Sequence, residues 1–83
     1  MINTAIVILA LHKSNIKMDL EIPLDITANE LVFALNTAFH LGINTERTDN
    51  CYLKTENPIA LLKGNKLLSE IGIRNGTIIN FTD

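Results

Sequence analysis

The sequence predicts an α+β fold in which one helix packs on one face of a mixed β-sheet. Three observations support this class: a pair of β-prone segments near the N-terminus, one amphipathic segment behind a helix-capping motif, and several short strands separated by turns in the second half. A chain of 83 residues has room for one hydrophobic core. We therefore expect a single domain spanning residues 1–83.

Composition narrows the classes of function. The net charge is −2, and no run of Lys or Arg exceeds one residue, so a nucleic-acid partner is not expected. No apolar stretch reaches the roughly 20 residues of a membrane-spanning helix, and no secretory signal pattern is present. We expect a cytoplasmic protein without direct membrane insertion. Cys51 is the single cysteine, so no disulfide or thiolate cluster forms within the chain and no cofactor is expected.

The N-terminal segments predict a β-hairpin. Residues 4–11 are apolar at nearly every position, and residues 16–22 then alternate apolar and charged side chains, the pattern of a half-buried strand. The polar residues 12–15 form a short connection between them. Pro23 ends the second strand because it cannot donate a ladder hydrogen bond.

A helix is predicted to begin at Ala28. Thr27 and Glu30 have the spacing of a capping box, in which each residue's side chain satisfies a free backbone N–H of the other. Gly42 is placed to stop the helix, and Phe33 is the large apolar residue that the helical wheel leaves outside. The predicted buried face and its flanks comprise Leu31, Ala34, Leu35, Ala38 and Leu41 with Val32 and Phe39.

The second half predicts short elements. A loop over 44–50 leads into a strand over 51–55, and residues 59–62 form a further apolar run between turn-forming residues. Residues 67–73 have room for one helical turn. Asn75–Gly76 then reverses the chain into a last strand over 77–81, which we expect to lie parallel to the first strand in the middle of the sheet.

This order of elements, together with the closing pattern Lys66–Ile79, resembles ubiquitin across the whole chain. More narrowly, Met18–Pro23 and Gly72–Gly76 resemble the small ubiquitin-like proteins of bacterial type VII (WXG100/ESX-type) secretion, the YukD/EsaB family. The resemblance implies a ubiquitin-like β-grasp fold with a mixed four- to five-stranded sheet. It also implies a non-catalytic cytosolic accessory protein of Gram-positive bacteria, which docks on membrane-bound secretion components at the inner face of the membrane and brings no catalytic residues.

Two alternatives differ in mechanism. A ubiquitin-like carrier or modifier is activated at a C-terminal Gly-Gly tail, whereas this sequence ends Phe81-Thr82-Asp83, so this alternative is disfavoured. A β-grasp adaptor for an unrelated ATPase is the other alternative, and the sequence separates it poorly from the secretion protein.

Candidate catalytic groups have simpler structural explanations. Cys51 would need a neighbouring base to act as a nucleophile, and no local motif places His12 or His40 beside it, so we expect an inert thiol and two exposed histidines. Alternation puts Asp19 and Glu21 on the outer face of a strand. A solvated strand face explains these two carboxylates more simply than a role in acid–base catalysis. Glu30 with Glu46 is the other pair of carboxylates that could be considered for acid–base work or metal binding.

The first strand suggests a protein-binding patch. One helix covers one face of a sheet, yet this strand is apolar on both faces. A register that puts residues 6, 8 and 10 under the helix with residues 79 and 81 leaves an outward patch for a protein partner or a homodimer. That patch consists of Val7, Leu9, Leu11 and Ile78. Screening by long side chains such as Lys17 and Lys54 is the alternative, and a one-residue shift would change the membership of the patch.

Overall fold

The computed structural model describes residues 3–43 and 52–82. Within these ranges the chain forms, in order, β1 (Thr4–Leu11), β2 (Ile16–Pro23), α1 (Ala28–Phe39), β3 (Leu53–Glu56), β4 (Ala60–Leu62), α2 (Leu68–Ile71) and β5 (Ile78–Phe81). This is the order expected from the sequence. The predicted loop 44–50 and Cys51 lie outside the described residues.

The described strands form one five-stranded mixed sheet in the order β2-β1-β5-β3-β4. β1 pairs antiparallel with β2 and parallel with β5, and β3 pairs antiparallel with both β5 and β4. The expected parallel pairing of the first and last strands in the middle of the sheet is therefore confirmed, as is the α+β fold class. One long helix, α1, covers one face of this sheet.

The first hairpin sets the register of the sheet. Its four-residue connection places Leu11 opposite Ile16, and the pairing continues to Thr4 opposite Pro23. Odd residues of β1 consequently lie beside even residues of β2, so that Val7 is opposite Leu20. Because the even residues of β2 are its apolar ones, the odd residues of β1 face the core.

The capping box at the start of α1 forms as predicted. The Glu30 N–H donates to Thr27 Oγ1 over 3.2 Å, and the Thr27 N–H donates to Glu30 Oε1 over 3.0 Å. Further amides of the first turn are satisfied by the loop before α2, since the N–H of Ala28 donates to the Lys66 carbonyl at 2.9 Å. The helix N-terminus is thereby tied to a segment about 40 residues away in sequence.

The buried stripe of α1 differs from the predicted one. Its buried members are Ala28, Leu31, Val32 and Leu35. Ala34 and Ala38 are exposed, because at 100° per residue they lie about 110° and 70° from the centre of that stripe. The helix also ends before Gly42: His40 adopts the left-handed conformation (φ 53°), and its N–H donates to the Asn36 carbonyl.

The turn into β5 is built around a buried threonine. Thr77 is fully buried, and its Oγ1 donates to the Asn57 carbonyl at 2.7 Å while accepting from the Arg74 N–H at 3.0 Å. Gly76 has φ +89°, a conformation that a residue with a Cβ rarely adopts. The expected reversal at Asn75–Gly76 is present, and it delivers Ile79 into the core, where it is fully buried.

Candidate docking surface

The prediction that Val7, Leu9 and Leu11 form an exposed patch on β1 is wrong, because these side chains lie on the core face of the strand. Val7 and Leu9 are fully buried in the core, and Leu11 is half-buried and packs against it. Ile6, which was expected under the helix, is instead 47% exposed. The reason is the hairpin register: the charged residues of β2 must face outward, and they lie beside the even residues of β1.

Of the predicted patch, Ile78 lies on the outer face of the sheet. It is half-buried and pairs in register with Ile8, which is also half-buried. Asp19 and Glu56 flank this pair on the neighbouring strands. The outer face thus carries an apolar centre between two acidic side chains.

A groove of about 510 Å³ opens at the β3–β4 end of the sheet. Its apolar part comprises Ile59, Ala60 and Leu61, of which Ile59 is 91% exposed and Leu61 is 47% exposed. Because exposed apolar patches are common at surfaces that bind other proteins, this groove is the candidate docking surface.

A line of hydrogen bonds crosses the groove. Asn80 Nδ2 donates to Glu56 Oε2 over 2.9 Å, and Asn80 Oδ1 lies 2.6 Å from His12 Nε2. A carboxylate only accepts hydrogen bonds, so it fixes the orientation of the amide and makes His12 Nε2 the donor. These three polar side chains therefore hold one another in place, and the neighbouring aliphatic side chains present the contact area.

The local fold explains why Ile59 is outside. Thr55 on β3 is buried, and its Oγ1 donates to the Pro58 carbonyl at 2.7 Å. Asn57, with φ 60°, accepts at its Oδ1 from the Arg74 guanidinium at 2.7 Å. These bonds fix the tight turn between β3 and β4, and Ile59 stands at its end. The sequence contained a signal for this residue, because an isoleucine directly after Asn57-Pro58 falls in a turn, and turns lie on the surface.

The other candidate residues have structural roles or lie on the surface. His12 and His40 are exposed, as expected. Asp19 and Glu21 are also exposed, and Glu21 Oε2 accepts from Thr4 Oγ1 at 2.9 Å. Cys51 and Glu46 lie outside the described residues.

The hydrogen bonds of the capping box also act on the charge of Glu30. The backbone N–H of Thr27, followed by its hydroxyl, holds the pKa of the Glu30 carboxyl below its ordinary value of 4.5. Glu30 therefore serves the helix start rather than a chemical site.

A metal site or a membrane span would need a suitable cluster of side chains or a long apolar helix within residues 3–43 and 52–82. No group of three or more His, Cys, Asp and Glu side chains there is placed to hold a metal ion. Neither helix of these residues has the length and apolar character that a membrane crossing requires.

The fold defines the class of protein. Solved structures that share it include the ubiquitin-like domain of tubulin-binding cofactor B (TM-score 0.73, 18% identity, 96% of this chain and 89% of that chain covered) and the C-terminal ubiquitin-like domain of mouse tubulin-specific chaperone e (TM-score 0.70, 11% identity, 99% and 90% covered). The chain is therefore a ubiquitin-like β-grasp protein.

The family is narrower than the fold. The family model described as "WXG100 protein secretion system (Wss), protein YukD" matches residues 5–80, nearly the whole chain. The chain thus belongs to the YukD family, as its resemblance in sequence indicated. A comparison with curated proteins gave no match.

Proposed function

We propose that this chain is a non-catalytic accessory protein of the WXG100 secretion system, which works in the cytoplasm by docking on membrane-bound components of that machine. Membership of the YukD family supports the link to secretion. The observation that supports docking is the exposure of Ile59 (91%) and Leu61 (47%) beside one groove. This surface replaces the predicted one, since Val7 and Leu9 are core residues.

The groove suits a protein partner better than a small polar molecule. Fully burying an isoleucine or leucine side chain stabilises an interface by about 1.5–3 kcal/mol, and such anchors inside a polar rim are the usual centre of a binding site. Lys54, Glu56 and His12 supply that rim here. Because the His12–Asn80–Glu56 line of hydrogen bonds already orders two of these side chains, docking loses little of their conformational freedom.

The first experiment is site-specific photocrosslinking in a bacterium that carries the chain and its secretion system. A photoreactive amino acid at position 59 or 61 should give a crosslink to a component of that system. Thr37 is the control, because it is also exposed but lies on α1, away from the outer face of the sheet. Crosslinks to secretion components from position 37 and none from 59 or 61 would contradict the proposed surface.

A complementation assay tests the function itself. In a strain that lacks the gene, Ile59→Asp should restore secretion of WXG100 substrates far less than the wild type, whereas Thr37→Asp should restore it fully. Both side chains are exposed, so both variants should keep the wild-type circular dichroism spectrum. Normal secretion in the strain without the gene would refute the role in secretion, and normal secretion with Ile59→Asp would refute the groove alone.

A further inference from the structure

The strand β2 leaves one edge of the sheet unpaired among the described residues, because the strand order begins with it. The Leu24 N–H donates to the Asn3 carbonyl at 2.7 Å, so the backbone groups of Leu24 point toward the neighbouring strand. The direction of these groups alternates along a strand, and the other even residues of β2 therefore also bond to β1. The Ile8 N–H agrees with this, because it donates to the Thr77 carbonyl on the other side of β1. The N–H and C=O groups of Lys17, Asp19 and Glu21 therefore point out from the edge.

The two faces of this edge differ in chemistry. The outward face carries Lys17, Asp19 and Glu21, all exposed. On the core face, Ile16 is 45% exposed, and Met18 and Leu20 are half-buried. A further strand beside β2 would complete the burial of these apolar side chains.

One register lets a second copy of β2 satisfy both faces. In antiparallel pairing about a two-fold axis at Met18, Lys17 lies opposite Asp19 of the second copy, and Asp19 lies opposite its Lys17. On the core face Ile16 then meets Leu20, and Met18 meets Met18. Opposite charges thus face each other across the strands, and apolar side chains face apolar ones.

Neighbouring registers with the same hydrogen-bonding phase are worse. A two-fold axis at Asp19 places Asp19 against Asp19, and an axis at Lys17 places Lys17 against Lys17. An axis at Leu20 sets Asp19 against Glu21. Each of these puts like charges directly opposite one another, which destabilises a strand pair, although the axis at Asp19 also sets Lys17 opposite Glu21. Of these four registers, the axis at Met18 is the one without a like-charge pair.

We propose that β2 pairs antiparallel with β2 of a second copy of this chain, centred on Met18, to make a homodimer with a continuous ten-stranded sheet. The exposed charges of a lone edge strand ordinarily discourage such pairing. Here the positions of Lys17 and Asp19 make the same charges complementary to their own copy. The inference is independent of the proposed role in secretion and of the groove.

A charge swap tests the register. The wild type should show a concentration-dependent dimer by analytical ultracentrifugation. Lys17→Asp and Asp19→Lys should each weaken it by about tenfold or more, because two opposite-charge pairs become two like-charge pairs. The double variant Lys17→Asp/Asp19→Lys should restore the dimer. Lys63→Asp is the control, since it makes the same change of charge at an exposed position outside β2 and should leave the dimer unchanged.

A cysteine at the axis tests the geometry separately. Met18 would lie opposite itself in a non-hydrogen-bonded pair, with Cα atoms about 4.5 Å apart, within the range that a disulfide spans. In a Cys51→Ser background, Met18→Cys should give a covalent dimer under mild oxidation. Ile16→Cys should not, because the two copies of residue 16 would be separated by four residues along the strands, about 13 Å.

Three outcomes would overturn the proposal. A wild-type monomer at every concentration excludes self-pairing and leaves the edge to another partner. A dimer that neither single charge variant weakens uses another surface. Crosslinking of Ile16→Cys as fast as Met18→Cys shows a different register or random collision. Circular dichroism of each variant checks that the fold is intact, as expected because the substituted positions 16–19 and 63 are exposed or half-buried.

Discussion

Truncation of Leu9 to alanine, compared with the same change at Ile6, measures which face of β1 is buried. Leu9 is fully buried, and replacing a core leucine by alanine costs about 2–5 kcal/mol because a cavity remains. Ile6 is 47% exposed, so removing its outer carbons costs only about 1 kcal/mol at roughly 0.8 kcal/mol per buried CH₂. The two changes are close in chemistry and lie on one strand, which makes the comparison direct.

Thermal unfolding followed by circular dichroism is a suitable assay. In a domain of this size, 1 kcal/mol corresponds to a shift in Tm of about 4–8 °C, so Leu9→Ala, at about 2–5 kcal/mol, should lower Tm by roughly 8–40 °C and Ile6→Ala by about 4–8 °C. Urea titrations compared at a constant slope give the free-energy difference independently.

The reasoning fails if Ile6→Ala costs as much as Leu9→Ala. Aspartate substitutions sharpen the test. Leu9→Asp should abolish the fold, because it buries a charge without a partner, whereas Ile6→Asp should leave the spectrum unchanged. A folded Leu9→Asp variant would show that Leu9 lies on the surface and not in the core.

Three further predictions concern the turns and the helix start. Thr77→Val should destabilise the chain by about 1–3 kcal/mol in urea unfolding, because the Asn57 carbonyl loses its buried hydroxyl donor and the Arg74 N–H loses its acceptor; an unchanged midpoint would contradict this. Thr27→Ala should cost about 1 kcal/mol through the lost cap, whereas Thr27→Ser, which keeps the hydroxyl, should cost much less. NMR titration should place the pKa of Glu30 below 4.5. Because the folded-state pKa is the lower one, this contribution to stability is present above the unfolded-state pKa and is lost as pH falls through the folded-state value; an ordinary pKa would mean that the capping box is open in solution.

Local signals predicted the elements well. The Thr27–Glu30 spacing gave the first residue of α1, because a capping box is satisfied within four residues. The hairpin and the turn at Asn75–Gly76 were similarly readable, since backbone conformation there depends on neighbouring residues. The buried stripe of α1 was harder to predict from the local sequence. Alanine at positions 34 and 38 fits a buried or an exposed site equally, and packing decides between them.

The buried face of β1 required a comparison of two strands. β1 alone is apolar on both faces, so its own pattern gives no phase. The alternation in β2 does show which of its residues are buried. The connection over 12–15 places Leu11 opposite Ile16, so the buried residues of β1 can be deduced from those of β2. Counting back from that pair puts Val7 beside Leu20 and hence in the core. The information was present in the sequence, but in the strand next to the ambiguous one.

The candidate groove could not be assembled from sequence in this way. Its polar line joins His12, Glu56 and Asn80, which lie on three different segments and meet only because β5 inserts between β1 and β3. The groove lies toward the β4 edge of the sheet, whereas the proposed self-pairing uses the β2 edge. The two surfaces can therefore be occupied together, and a β2-linked dimer would carry one groove toward each end of its sheet. Such a dimer would engage two docking sites at once, so that binding at the first would raise the effective concentration at the second.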